Sequence, residues 1–121
     1  MNNQILKIDG KTKENLNYYI SVSYDDIPVD DMDFENEEQR LEYIGRFNSG
    51  ELLNVYINVE VFSKSGQVSG SNGLGGCHVK SEDLETEIKS MVDDYGMLEE
   101  AEDDLKTVLN QIKTIDLGLA A

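Results

Sequence analysis

The chain has 121 residues and a formal net charge of −15, from 25 Asp and Glu residues against ten Lys and Arg residues. This length predicts one compact domain over residues 1–121 and excludes two ordinary domains. The acidic excess disfavours binding to nucleic acid or to anionic membranes, and it favours basic proteins as partners.

Cysteine usage and the N-terminal segment indicate a compartment. Cys77 is the only cysteine, which excludes an intrachain disulfide and fits a reducing compartment. The first ten residues contain no long apolar region, and no run in the sequence approaches the ~20 apolar residues of a membrane span. We therefore expect a soluble, cytoplasmic protein.

Two strands are predicted near the N-terminus. Residues 4–8, Q-I-L-K-I, favour a short strand, and Asp9-Gly10 is typical of a turn that would follow it. Residues 11–15 are polar and predict a loop. In residues 16–24, aromatic and β-branched side chains dominate and alternate between two faces, which predicts a second strand.

Residues 25–38 contain eight acidic residues and no basic one. Pro28 opposes a helix within this segment, because proline lacks a backbone N–H and restricts the residue before it. From about residue 35 the apolar residues recur every three positions. This spacing predicts a helix over residues 35–47 that ends at residues 48–50, N-S-G.

The clearest pattern lies in residues 51–62, E-L-L-N-V-Y-I-N-V-E-V-F. Aliphatic residues occupy every second position from Leu53 to Val61, and mostly polar or aromatic residues occupy the others. Because successive side chains of a strand point to opposite faces, this alternation predicts a strand with one apolar face. We expect it to pair with residues 16–24. Residues 64–67, K-S-G-Q, then predict a hairpin turn with a glycine at positive φ.

The rest of the chain predicts a weak strand and two helices. Four glycines in residues 70–76 indicate a strand that is bulged or breaks into a loop before Cys77. Ser81 is expected to cap the first helix, and Gly96 to end it before a second helix begins. Residues 114–121 form a tail that adds a turn or frays. The apolar stripe of the first helix is expected to comprise Leu84, Ile88, Met91, Val92 and Tyr95.

This order of elements predicts an α+β domain. We expect a small antiparallel sheet of three to four strands with about three helices, two of which form a C-terminal helical hairpin. The helices are expected on one face of the sheet, where they would cover the aliphatic side chains of residues 53–61.

Part of the acidic segment matches a calcium-binding loop. Residues 31–42 carry acids at positions 1, 3, 5 and 12 of that pattern, and closely spaced carboxylates suit calcium. Position 6 is Asn36 rather than glycine, and Pro28 opposes the incoming helix. We therefore expect a solvated or partner-facing loop and no bound metal. The matching residues are Asp31, Asp33, Glu35 and Glu42.

Two further motifs contain residue types that occur in catalytic or phosphate-binding sites. Cys77-His78 places a nucleophile beside a base, but adjacent side chains of a strand point to opposite faces and cannot hydrogen-bond to each other. An acidic protein also disfavours a thiolate. The glycines of residues 70–76 match neither the dinucleotide fingerprint nor a P-loop. We expect neither enzyme activity nor a cofactor.

The acidic residues fall mainly in two blocks, with nine in residues 25–42 and eleven in residues 82–104. Each block contains one basic residue, whereas solvated helices usually intersperse both signs. Tyr19 and Tyr56 lie on the strand faces opposite the aliphatic residues and are interface candidates, because Tyr is frequent at binding hot spots. The residues predicted to bind a partner are Asp25, Asp26, Asp30, Asp31, Asp33, Glu35, Glu37, Glu38, Tyr56, Glu99, Glu100, Glu102, Asp103 and Asp104.

These features favour a small acidic inhibitor that binds a basic partner, such as a nuclease or another nucleic-acid-binding protein. Its carboxylates would stand in place of nucleic acid phosphates. Inhibitors of CRISPR or restriction nucleases carried by phages and other mobile elements are the analogous class. One alternative is an immunity protein that neutralises a basic toxin enzyme. Another is a calcium-binding or structural protein that uses residues 31–42.

Overall fold

A computed structural model describes residues 4–25 and 35–118, with side chains described as far as residue 113. Within these ranges the chain forms an antiparallel sheet of four strands in sequence order, together with three helices. The predicted α+β class is confirmed. The elements are β1 (Gln4–Lys11), β2 (Asn17–Tyr24), α1 (Glu37–Asn48), β3 (Leu52–Phe62), β4 (Ser69–Lys80), α2 (Leu84–Asp94) and α3 (Met97–Gly118).

Strand β3 lies at the centre of the core. Its alternate aliphatic residues from Val55 to Val61 are fully buried, and they continue across the sheet into Ile20 and Val22 of β2, where Val22 pairs with Ile57. Burying a Val or Ile side chain contributes roughly 1.5–3 kcal/mol. The predicted alternation and the predicted pairing of β3 with β2 are therefore both confirmed.

Strand β4 is continuous but bulged, which was one of the two predicted outcomes. Val55 pairs with Cys77 and Ile57 pairs with Leu74, so β4 contains one more residue than β3 between these pairs. Gly76 adopts a φ of +64° at the bulge, where a side chain would be strained. The predicted hairpin turn before β4 is also present, with Gly66 at a φ of +76°.

The first hairpin turns later than predicted. Asp9 and Gly10 pair with Tyr19 and Tyr18, so β1 continues through the predicted turn to Lys11. A Cβ on Gly10 would overlap the Tyr18 ring, so this glycine makes room for an aromatic side chain rather than a turn. The reversal occurs in residues 12–16, where the Thr12 N–H donates to the Leu16 carbonyl over 2.9 Å.

Helix α1 lies on the face of the sheet opposite α2 and α3, so the prediction of all helices on one face is wrong. The Tyr43 and Phe47 rings of α1 contact the His78 ring. His78 points away from the face that buries its neighbours Cys77 and Val79. Leu52 lies on the same face as the mostly polar residues of β3, and it is buried at this end of the sheet.

Helices α2 and α3 cover the aliphatic face, mainly over β4 and β3. Ile88 and Val92 of α2 are buried as predicted, whereas Tyr95 is 62% exposed and does not belong to the stripe. Gly96 adopts a φ of +60° between the two helices, which confirms its predicted position at the end of α2.

The start of α2 differs from the prediction in its capping residue, and the end of α3 lies within the predicted tail. Ser81 does not cap α2; its Oγ donates to the Gly50 carbonyl over 2.6 Å, and Asp83 holds the cap position. Residues 114–118 of the predicted tail continue α3, and residues 119–121 lie outside the described residues. In the described part of the chain, no helix combines the length and the apolar character needed to cross a membrane.

Candidate partner-binding surfaces

The first acidic block is described only in part. Asp26, Asp30, Asp31 and Asp33 lie outside the described residues, and their predicted roles stay predictions. Glu35, Glu37 and Glu38 are exposed around the start of α1. Glu37 pairs with Arg40 of the same helix, and the hydrogen bond from this guanidinium holds the pKa of the Glu37 carboxyl below its usual value.

Asp25 has an internal role at the bulge. Its carboxylate accepts a hydrogen bond from the Gly76 N–H over 2.6 Å, reaching across β3 from the end of β2. Gly76 has no paired residue in β3, and Asp25 provides an acceptor for its exposed N–H. Asp25 therefore stabilises β4, in addition to any contact with a partner.

Two further carboxylates cap the free edge of β4. Asp104 of α3 accepts a hydrogen bond from the Ser71 N–H over 2.9 Å, and Glu87 of α2 accepts one from the Lys80 N–H over 2.9 Å. An edge strand exposes such donors to pairing with other chains, and covering them protects the edge. The acidic residues of α2 and α3 are therefore not all available to a partner.

Glu102 is half-buried between α3 and the first hairpin. Burial and the negative charge of Glu14 raise the pKa of the Glu102 carboxyl, and Glu99 adds to this effect while Lys106 opposes it. A hydrogen bond with Glu14 also raises this pKa. Such a contact favours a proton held between two carboxyl groups. Because it is half-buried, Glu102 is less accessible to a basic partner than its exposed neighbours.

Five exposed acidic residues lie where α2 meets α3, and we call them the acidic corner. Among the described residues, none of the five forms an ion pair, and Lys89, the one basic residue in residues 82–104, pairs with Glu85 over 3.4 Å. Gly96 fixes the change of direction between the helices at this point. The acidic corner comprises Asp93, Asp94, Glu99, Glu100 and Asp103.

A groove lies beside the acidic corner, between α2, α3 and β2. Its volume is ≈ 450 Å³. We call it the corner groove. It combines apolar side chains with acidic ones, and sequence analysis did not predict it, because its residues come from three distant segments. Its lining residues are Tyr18, Ile20, Lys89, Ser90, Val92, Asp93, Leu98 and Glu99.

The two tyrosine candidates lie on the face opposite α2 and α3, as predicted. The Tyr19 hydroxyl donates to Glu60 Oε1 over 2.8 Å, and this hydrogen bond raises the pKa of Tyr19. The Tyr19 ring is half-buried, with Lys7 Nζ 4.8 Å from its centroid. Tyr56 is 42% exposed and lies over Gly73 of β4, so it is the more accessible of the two.

Cys77 and His78 point to opposite faces of β4, as the alternation predicts. Burial raises the pKa of the Cys77 thiol, and the negative charge of Asp25 raises it further. His78 Nδ1 is 2.8 Å from the Tyr43 hydroxyl, and burial lowers the pKa of this imidazole. A thiol whose pKa is raised, on the opposite face of the strand from the imidazole, does not fit an activated thiolate.

The described part of the chain contains no group of three or more His, Cys, Asp or Glu side chains placed to hold a metal ion. In the calcium-loop pattern, Glu35 precedes α1 and Glu42 lies within it, while Asp31 and Asp33 lie outside the described residues. Calcium binding by residues 31–42 therefore stays a hypothesis.

Comparison with known proteins gives no relative from which a function could be transferred. No protein-family profile, no curated protein and no solved structure matches the chain. The surfaces described above are therefore the basis for the functional proposal.

Proposed function

We propose that this chain is a small acidic inhibitor that binds a basic, nucleic-acid-binding protein through the acidic corner. The observation that carries the proposal is the set of exposed carboxylates that no cation of the described chain neutralises. An uncompensated surface of one sign raises the free energy of the isolated protein, and pairing with a basic partner would recover that energy. We expect the partner to be a nuclease or a related enzyme.

The acidic corner is suited to pair with side chains that normally hold phosphates. Its carboxylates lie on two helices, where residues three or four apart are about 5–6 Å apart on one face. Arg and Lys in a nucleic-acid-binding groove form charge-assisted hydrogen bonds with carboxylates as they do with phosphates. Buried Val92 and Met97 fix the two helices on either side of Gly96, so the carboxylates project from a rigid support.

The α1 acids do not extend this surface. They lie across the sheet from α2 and α3, and Glu37 already pairs with Arg40. The proposal therefore assigns partner binding to Glu99, Glu100 and Asp103 of α3 rather than to both blocks equally. Asp104 is assigned to the fold, since it accepts a hydrogen bond from the Ser71 N–H, and Glu102 is left out because it is half-buried beside Glu14.

Inhibitors of CRISPR or restriction nucleases carried by phages and other mobile elements are the functional analogues that we propose. Such an inhibitor acts in the cytoplasm, where a single buried thiol like that of Cys77 stays reduced.

Affinity capture followed by a salt titration tests the proposal. Immobilised protein is incubated with extract of the source cells, and the affinity of the captured protein is then measured at about 50 mM and 500 mM NaCl. We expect a basic, nucleic-acid-binding partner whose affinity falls at least about tenfold, because salt screens exposed charges. An affinity that stays flat contradicts the proposal. Capture of a basic toxin enzyme would instead support the immunity-protein alternative.

Two triple variants with the same change in charge separate the acidic corner from the α1 block. Glu99→Gln, Glu100→Gln and Asp103→Asn change the corner, whereas Glu35→Gln, Glu38→Gln and Glu42→Gln change exposed acids around α1. We expect the corner variant to lose most of the affinity and the α1 variant to lose only the share due to net charge. Equal losses would contradict the assignment to the corner.

A further inference from the structure

The corner groove differs from a purely acidic surface in having an apolar floor. Ile20 and Val92 are buried beneath it, and Tyr18 and Leu98 are half-buried and pack against the same core. Asp93 and Glu99 stand at its rim, one from each helix of the acidic corner. A groove with apolar walls and a few charged groups at its mouth is the usual form of a site for a specific group.

Lys89 is the one cation at this groove, and it is directed elsewhere. Its Nζ lies 3.4 Å from Glu85 Oε2, one turn towards the start of α2. Asp93 and Glu99 form no ion pair within the described residues. The groove therefore offers two carboxylates beside an apolar floor and an aromatic ring.

Such a combination matches one class of side chain. An arginine has an apolar stem, a planar guanidinium that stacks on aromatic rings, and a fixed fork of donors that fits carboxylates. The chain contains the same type of contact on its other face, where the Arg46 guanidinium lies 6.0 Å from the Tyr43 ring centroid and pairs with Glu51 over 3.3 Å. At the corner groove the aromatic and acidic groups are present, and the cation has to come from outside the described chain.

We infer that the corner groove binds an arginine side chain of the basic partner, with its stem over Ile20 and Val92 and its guanidinium between Asp93 and Glu99. This inference rests on the proposed function and gives it a specific anchoring residue. Binding through this groove adds apolar contact to charge attraction, so it discriminates between basic partners that charge alone would not separate.

A matched pair of double variants tests the inference, with a hexa-arginine peptide as the probe. Asp93→Asn with Glu99→Gln changes the rim of the groove. Asp94→Asn with Glu100→Gln changes the adjacent residues of the same helices, which are exposed and do not line the groove. We expect the groove variant to weaken binding at least about tenfold and the neighbouring variant about two- to threefold, the size typical of exposed pairs.

The outcomes separate the inference from the proposed function. Equal weakening by the two double variants, or greater weakening by the neighbouring variant, overturns the groove and leaves binding through the acidic corner intact. Failure of the unchanged protein to bind hexa-arginine at low salt contradicts the proposed function itself. Melting temperatures of all variants are measured alongside, so that loss of folding is not scored as loss of binding.

One further variant and two further probes test the inference, and the variant is expected to change binding in a direction that simple loss of structure cannot produce. Lys89→Gln removes the one cation that lines the groove, and we expect it to tighten binding of the peptide. Replacing the arginines of the probe by citrulline keeps the shape and removes the charge, so we expect binding to be lost. Hexa-lysine is expected to bind more weakly than hexa-arginine, and equal affinity for the two would contradict recognition of a guanidinium.

Discussion

At the scale of single residues, carboxylates of this chain divide into those that stabilise the fold and those that face solvent. Asp104 and Asp103 are adjacent in α3. Of the two carboxylates, only that of Asp104 accepts a hydrogen bond from a backbone N–H, that of Ser71 in β4. We expect Asp104→Ala to lower the free energy of unfolding by about 1 kcal/mol, the usual contribution of one such bond. Urea unfolding monitored by circular dichroism measures this change.

The neighbouring residue provides the control for Asp104. Asp103→Ala removes the same charge from the same helix turn without removing a hydrogen bond from its side chain, so we expect a change within about 0.5 kcal/mol. If the two variants have the same stability, Asp104 does not cap the edge of β4, and its assignment to partner binding would be restored.

Glu102 makes the stability of the fold depend on pH. Because the pKa of its carboxyl is raised in the folded state, folding favours the protonated form. Its contribution is therefore fully present below the ordinary pKa of glutamate and is lost as the pH rises through the folded pKa. Glu102→Gln cannot ionise, so we expect it to stabilise the protein at pH 7 by about 0.5 kcal/mol, the size of a like-charge contact on a helix.

Thermal unfolding at two pH values checks this prediction. The melting temperature of Glu102→Gln is expected to exceed that of the unchanged protein at pH 7, and the difference is expected to vanish near pH 3, where the carboxyl is protonated in both states. Glu100→Gln, in an exposed position of the same helix, is the control for the change in net charge. A gain that is the same at both pH values would contradict the role of the Glu14 contact.

At the scale of elements, two glycines of β4 determine how closely other groups approach this strand. A Cβ on Gly70 would overlap the backbone of α3 at Ala101 and Leu105, whereas a Cβ on Gly73 would meet only the end of the Tyr56 side chain. We expect Gly70→Ala to destabilise the fold by about 1 to 3 kcal/mol, because a packed helix has to shift. Denaturant unfolding measures this.

Gly73→Ala is the matched substitution in the same strand. Tyr56 is 42% exposed and can swing away, so we expect a loss of less than half that of Gly70→Ala. Equal losses in the two variants would contradict the close packing of α3 on Gly70. The comparison also shows whether Tyr56 depends on Gly73 for its position on the open face of the sheet.

The elements that sequence analysis predicted well are those with local causes. Strand β3 follows from alternation within twelve residues, and the turn at Gly66 and the end of α2 at Gly96 follow from the need for positive φ. The errors have distant causes. Gly10 lies in a strand against the Tyr18 ring across the hairpin, not in a turn. The Ser81 hydroxyl donates to the carbonyl of Gly50, thirty-one residues earlier, and does not cap α2.

Of the candidate surfaces, the sequence predicted the charge but not the contacts that its residues make. Composition identified the acidic residues of α3, but it could not separate Asp104, which caps β4, from Asp103, which faces solvent. The face on which α1 lies depends on Tyr43 and Phe47 meeting His78, contacts between residues more than thirty positions apart. The corner groove likewise requires β2 to be adjacent to α2 and α3, and no pattern within one segment indicates this.

At the scale of the whole molecule, the sheet separates two surfaces of different character. One side carries α2, α3, the acidic corner and the corner groove, and the other carries α1 and the open face with Tyr56. The net charge of −15 acts on both sides. The exposed carboxylates that lack a described ion pair and lie beside an apolar groove are on the first side, so partner binding is expected there.

Competition with nucleic acid shows whether the chain and nucleic acid bind the same surface of the partner. A captured partner is first saturated with fluorescent double-stranded DNA, and the present chain is then titrated into the complex while anisotropy is recorded. We expect the chain to release the DNA, and the triple variant of Glu99, Glu100 and Asp103 to do so only at much higher concentration. DNA that stays bound at saturating concentrations of the chain would show that the two do not share a surface, and would contradict the proposed inhibition.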